Sequence, residues 1–165
     1  MAEAVTASRV GCTRTENPTP GTSGSLSAER RRTLAAASAR ILPSDDGPGA
    51  AETGVVDYVD GALRDRWHRH FVPLMERGLD FLEALARESH GTDFGACTPE
   101  QQDAVLHRAQ RFPNNDARRF FQRLVELTLE GFLCDPVHGG NRDRLGWRFL
   151  GFELDQPAPC DGAGR

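Results

Sequence analysis

Apolar residues recur along the middle of this chain at three- and four-residue steps, the period of helices that bury one face. In "LSAERRRTLAAASARILP", Leu34, Ser38 and Ile41 share a stripe. Ser27 precedes that stripe as an N-cap, and Pro43 stops the helix. A second segment, "ETGVVDYVDGALRDRW", puts Val56, Val59, Leu63 and Trp67 on one face. The third, "FVPLMERGLDFLEALARES", aligns Phe71, Met75, Leu79, Leu82 and Ala86. "TPEQ" at 98–101 opens a fourth helix with a capping box, Thr98 as cap, Pro99 at the first helical position and Gln101 reaching back; it runs to Gln110. After the loop "RFPNND", a fifth helix starts at Asp116 and carries Phe120, Phe121, Leu124, Leu127, Thr128 and Phe132.

No stretch alternates with the period of two that a half-buried strand requires, and no internal repeat is present. The pattern predicts an all-α fold, a bundle of about five helices closed by an irregular C-terminal loop. Both ends are polar and rich in Gly, Pro, Ser or Thr, which predicts a disordered N-terminal tail over 1–25, a helical domain over 26–153 and a flexible C-terminal tail over 154–165.

Composition narrows the function. At 165 residues, 38% of them hydrophobic, the chain is long enough to bury a core without disulfide staples. The formal charge is −4, and although every basic residue is arginine, these are interleaved with Asp and Glu. No field of one sign results, so a nucleic-acid partner is not expected. Cys12, Cys97, Cys134 and Cys160 lie far apart, with no pair at zinc-ligand spacing. No segment approaches the roughly 20 apolar residues of a membrane span. "RVGC" near the N-terminus lacks the apolar stretch that precedes a lipoprotein cleavage site, and "ERRR" at 29–32 is not followed by the apolar segment of a twin-arginine signal, so a cytoplasmic location is expected. Reduced thiols there would make Cys97 and Cys134 packed apolar residues.

Candidate chemistry is sparse. His68 and His70 in "RWHRH" stand two residues apart, pointing about 200° from each other on a helix, and cannot close on one metal. Asp45 and Asp46 fall in a turn where Asp is favoured, and Asp57 and Asp60 lie one helical step apart on a boundary face. Neither a nucleophile elbow nor a dinucleotide fingerprint occurs, so catalytic, cofactor-binding and metal residues are all expected to be absent.

The exception is "HGGNRDRLGWR", residues 138–148. Its glycines suit an anion-holding nest, yet a phosphate loop normally precedes a helix and this one follows a helix. Gly139 and Gly140 therefore read as a helix stop. Asn141 and Asp143 suit internal hydrogen bonds of the turn. Trp147 between arginines either packs back on the bundle or anchors an interface, since Trp and Arg dominate binding hot spots.

The blocks "ILPSDDGPGAAETGVVDYVD", "CTPEQQDAVL", "FFQRLVELTLEGFLCDP" and "HGGNRDRLGWRFLGF" resemble, in order, the gluconate 2-dehydrogenase subunit 3 family over residues 26–153. The last block is the most specific, being similar to a family ending of the form GGN-R-D-G-x-G-W. The resemblance implies a non-catalytic small subunit that supports folding, stability and often export of a large subunit. That large subunit would be a glucose-methanol-choline type flavoprotein carrying FAD and oxidising a sugar or sugar acid. It makes His138, Gly139, Gly140, Asn141, Arg142, Asp143, Trp147 and Arg148 the candidate partner interface. Two departures stand out: no twin-arginine signal of the kind family members commonly begin with is readable, and the loop has His138 where the family often has an aromatic residue and Arg144 where it often has glycine. The competing readings are a free helical adaptor and a small enzyme using His138 and Asp143.

Overall fold

The computed structural model describes residues 25–152. Six α-helices follow one another: α1 (Ala28–Ile41), α2 (Val55–Ala62), α3 (Val72–His90), α4 (Pro99–Arg111), α5 (Asn115–Leu133) and α6 (Leu145–Phe149). Short 3-10 turns fill some of the gaps, and no strand occurs among the described residues. The all-α expectation holds, with five principal helices and a short sixth. The tails expected over 1–25 and 154–165, with Cys12 and Cys160, lie outside the described residues except for Ser25.

Local signals set the helix ends. Ser27 Oγ accepts from Arg30 N, and at Thr98 both halves of the capping box form, Gln101 N donating to the hydroxyl and Thr98 N donating to Gln101 Oε1 at 2.9 Å. Asn114 Oδ1 accepts from Asp116 N at 2.7 Å and starts α5 one residue earlier than the apolar pattern indicates.

The core lies where α1, α3, α4 and α5 meet. Leu34, Met75, Leu79, Leu82, Val105, Phe120, Leu124 and Leu127 are buried there. Phe120 lays its ring so close over Gly78 that a Cβ on Gly78 would overlap it, which lets α3 and α5 approach closely. Buried polar groups are paired across helices: the hydroxyls of Ser38 and Thr128 stand 3.3 Å apart, and Gln102 Nε2 donates to the carbonyl of Phe94 at 3.1 Å. Two fork-like ion pairs fasten α1 at its ends, Arg30 to Asp80 on α3 and Arg40 to Asp103 on α4. Their guanidinium hydrogen bonds hold both carboxyls below the ordinary Asp range.

Two expectations need correction. Trp67 does not continue the stripe of α2: the helix ends at Ala62, successive turns carry the chain to Phe71, and Trp67 stands 65% exposed with Arg66 stacked on its ring. The buried face of α2 is Val55, Val59 and Leu63, while Val56 is only half-buried. The C-terminal segment is also more regular than expected. It holds 3-10 turns at Pro136–His138 and Arg142–Arg144, followed by α6, whose five residues are too few for a helical period to show in sequence.

Candidate functional site: the C-terminal loop

A helix that ends at residue 133 leaves its last carbonyls without partners unless something returns to meet them. The loop does so. Asn141 N donates to the carbonyl of Gly131 at 2.8 Å, its Nδ2 donates to the carbonyl of Cys134 at 2.9 Å, and its Oδ1 accepts from Gly146 N at 2.9 Å. Trp147 Nε1 donates to the carbonyl of Leu133 at 2.7 Å. Two loop side chains thus close the end of α5, and Asn141 ties in the first turn of α6 as well.

Such an approach leaves no space for side chains at the glycines. A Cβ on Gly140 would overlap the Gly131 carbonyl oxygen, and one on Gly146 would overlap the Phe132 carbonyl oxygen. Gly139 has φ +91°, a left-handed conformation that glycine adopts freely. Asn141, Asp143 and Arg144 are also left-handed, with φ of 41°, 54° and 58°. Asn and Asp tolerate this region; arginine does so at a cost.

The loop is also held against the start of α2. Arg142 N donates to the Thr53 carbonyl at 3.0 Å, and its guanidinium meets Asp57 at 3.2 Å. Asp57 shares its other oxygen with Arg31 at 2.7 Å, and Arg31 also pairs with the buried Asp60 at 2.9 Å. Asp60 in turn accepts from Leu26 N at 3.0 Å. The two carboxylates of α2 therefore link the entrance to α1 with the C-terminal loop, an ion-pair role rather than acid-base chemistry.

The eight sequence candidates separate into layers. Gly140 and Asn141 are buried, Trp147 is half-buried, and His138, Gly139, Arg142, Asp143 and Arg148 are exposed. Arg148 donates to the carbonyl of Asp143 within the loop. The N–H groups of Gly139, Asn141, Arg142 and Arg144 all donate to carbonyls of this chain, so the glycines do not form a nest open to an anion. His138 and Asp143 share no side-chain hydrogen bond among the described residues. Elsewhere, the His, Cys, Asp and Glu side chains of those residues form no group that could hold a metal ion. Cys97 and Cys134 are free thiols, buried and half-buried, and burial pushes both up from the ordinary thiol value. A groove of about 230 Å³ lies at the opposite end of α5, lined by Leu74, Phe81, Phe112 and Phe120 with Arg77 and Asp116.

The family model for gluconate 2-dehydrogenase subunit 3 matches residues 28–153, taking in all six helices and the whole of this loop. The chain belongs to the gluconate 2-dehydrogenase subunit 3 family. Gluconate 2-dehydrogenase has several subunits, so membership implies a protein partner. No curated protein and no solved structure gives a match. In this family member, no helix among the described residues is long and apolar enough to cross a membrane.

The candidate list from sequence omits the most exposed apolar groups of the region. Val137, Phe149, Leu150 and Phe152 are each more than half exposed, and Leu133 at the end of α5 is partly so. In "GWRFLGF" the exposure of Phe149, Leu150 and Phe152 is not legible because nothing local shows which way a five-residue helix turns. Their common signal is only that large apolar residues crowd a segment whose glycines forbid a long helix.

Proposed function

We propose that this chain is the non-catalytic small subunit of an FAD-dependent sugar or sugar-acid dehydrogenase, supporting the folding and stability of a glucose-methanol-choline type flavoprotein. Cofactor and chemistry belong to that partner. The chain stays in the cytoplasm unless the partner carries an export signal.

The observation that carries this reading is the span of the family match, which covers the complete set of helices together with the closed C-terminal loop. That loop directs its backbone donors inward and leaves the side chains of His138, Arg142, Asp143 and Arg148 exposed, an arrangement for contact with another protein rather than for holding a small anion. Its exposed His138 and Asp143 lack the mutual hydrogen bond and the orienting third group that an acid-base pair needs.

Two preparations test the proposal: the chain expressed alone, and the chain co-expressed with a flavin-containing dehydrogenase subunit from the same genome. Alone, it should be colourless and reduce no dye with any sugar. Co-expressed, it should co-purify with the flavoprotein and raise the yield of active enzyme. Flavin absorbance or dye reduction by the chain alone would support the small-enzyme reading, whereas flavoprotein yield that ignores the chain would support a free adaptor.

A further inference from the structure

Leu129 and Leu133 stand one helical turn apart on α5, both partly exposed. The Trp147 indole is hydrogen-bonded to the Leu133 carbonyl, and its ring meets Phe152 edge-on at 5.5 Å between centroids. Leu150, three residues after Trp147 and more than half exposed, adds to this apolar stripe, whereas the Phe149 ring lies against Gly47 in the connection between α1 and α2. Isolated exposed apolar residues are ordinary, but a contiguous set of this kind marks an interaction surface. None of these side chains belongs to the core cluster.

The stripe has a charged side. Arg144 and Arg148 rise from the loop and from α6 beside it, and neither has a carboxylate partner among the described residues. Arg142, by contrast, is already taken by Asp57. The surface is therefore apolar at its centre, with guanidinium groups along one edge that have no carboxylate partner among the described residues.

Resting on the subunit reading above, we propose that this stripe, rather than the crown of the loop at His138–Gly139, is the surface that docks the flavoprotein subunit. The complementary patch on the partner is apolar with Asp or Glu on one edge, placed to receive Arg144 and Arg148. Asn141 and Gly146 act beneath the surface as positioning residues that set α6 and hence Trp147. A second copy of this chain is a poorer occupant, because the carboxylates beside the stripe are already engaged, Glu130 with the Tyr58 hydroxyl and Asp135 with Val137 N, and a two-fold contact brings further arginines. An anionic bilayer is poorer too, since Glu130 and Asp135 flank Leu133.

The test uses the full chain co-expressed with the flavoprotein. Leu150→Asp and Phe152→Asp alter exposed side chains, so the isolated variants should melt as the wild type does. Each should weaken the complex at least about thirtyfold, the scale of a hot-spot loss. Arg148→Glu should weaken it and reverse its response to salt, while Trp67→Asp, at a still more exposed aromatic outside the stripe, should bind normally. A wild-type chain that forms no complex overturns the subunit reading, and this surface falls with it. A wild-type complex that tolerates both Asp variants, or that is broken by Trp67→Asp alone, overturns the surface only. So does a stripe-dependent dimer of the isolated chain, stripe-dependent binding to phosphatidylserine vesicles, or tighter flavoprotein binding once the acidic segment 153–165 is removed.

Discussion

Gly146 donates its backbone N–H to the side-chain oxygen of Asn141 at 2.9 Å, joining the first turn of α6 to a buried amide that also caps α5. The amide uses its oxygen and one of its nitrogen donors on backbone that has no other partner there. Asn141→Ala should therefore lower stability by about 2–3 kcal/mol, the cost of stranding buried polar groups at a left-handed position. Thermal unfolding measures the loss. Hydrogen exchange should show the Gly146 amide released first; unchanged protection at Gly146 would contradict the linkage.

Close approach makes a second prediction. Gly146→Ala places a methyl group against the Phe132 carbonyl and should cost about 1–3 kcal/mol. Gly61→Ala, within α2 with no neighbour near the added Cβ, should instead stabilise by about 0.5–1 kcal/mol. Opposite shifts in melting temperature are expected, and equal shifts would mean that the close packing beneath α6 is absent in solution.

Arg144 has φ 58°, a left-handed conformation that costs arginine more than glycine. Arg144→Gly should relieve the backbone and stabilise the isolated chain by about 0.5–1 kcal/mol after the added freedom of the unfolded glycine is counted. Arg144→Ala relieves nothing and serves as the comparison. A lower melting temperature for the glycine variant would mean that the arginine side chain contributes more than its strain removes.

Tyr58 is the single tyrosine of the chain, so its ionisation can be followed by ultraviolet absorbance without interference from another phenol. Burial, reinforced by the neighbouring Glu130 carboxylate that accepts its hydroxyl at 3.2 Å, pushes its pKa up to about 12. The folded chain thus keeps a proton that the unfolded chain releases near pH 10. Stability present below about pH 10 should fall as pH rises from there through about 12. Glu130→Gln should bring the midpoint down, and a wild-type midpoint near 10 would place Tyr58 in solvent.

Much of this molecule follows from short-range features. Ser27, Thr98 with Gln101 and Pro43 act on backbone within a turn of themselves, and the stripes of α3 and α5 persist over enough turns to average out single exceptions. The five longer helices, the all-α class and family membership were accordingly readable from residues alone. Asn141 and Asp143 were legible as turn residues; Gly139 and Gly140, read as the stop of α5, lie past its end at Leu133, and Gly139 instead caps the 3-10 turn Pro136–His138.

What tertiary structure decided is orientation. The α2 stripe read from Val56 to Trp67 failed because the helix ends at Ala62, and each further turn of non-helical chain changes the direction of the next side chain. Trp147 offered two readings in sequence, and the structure combines them: its indole nitrogen closes α5 while part of its ring faces outward beside Phe152. The exposed apolar stripe was invisible because its members come from α5, α6 and the residues beyond, and they become neighbours only when Asn141 folds the chain back on the carbonyls of α5. Periodicity encodes which face of a long helix is buried; where a short helix comes to rest depends on the unpaired backbone groups of another element that its loop must satisfy.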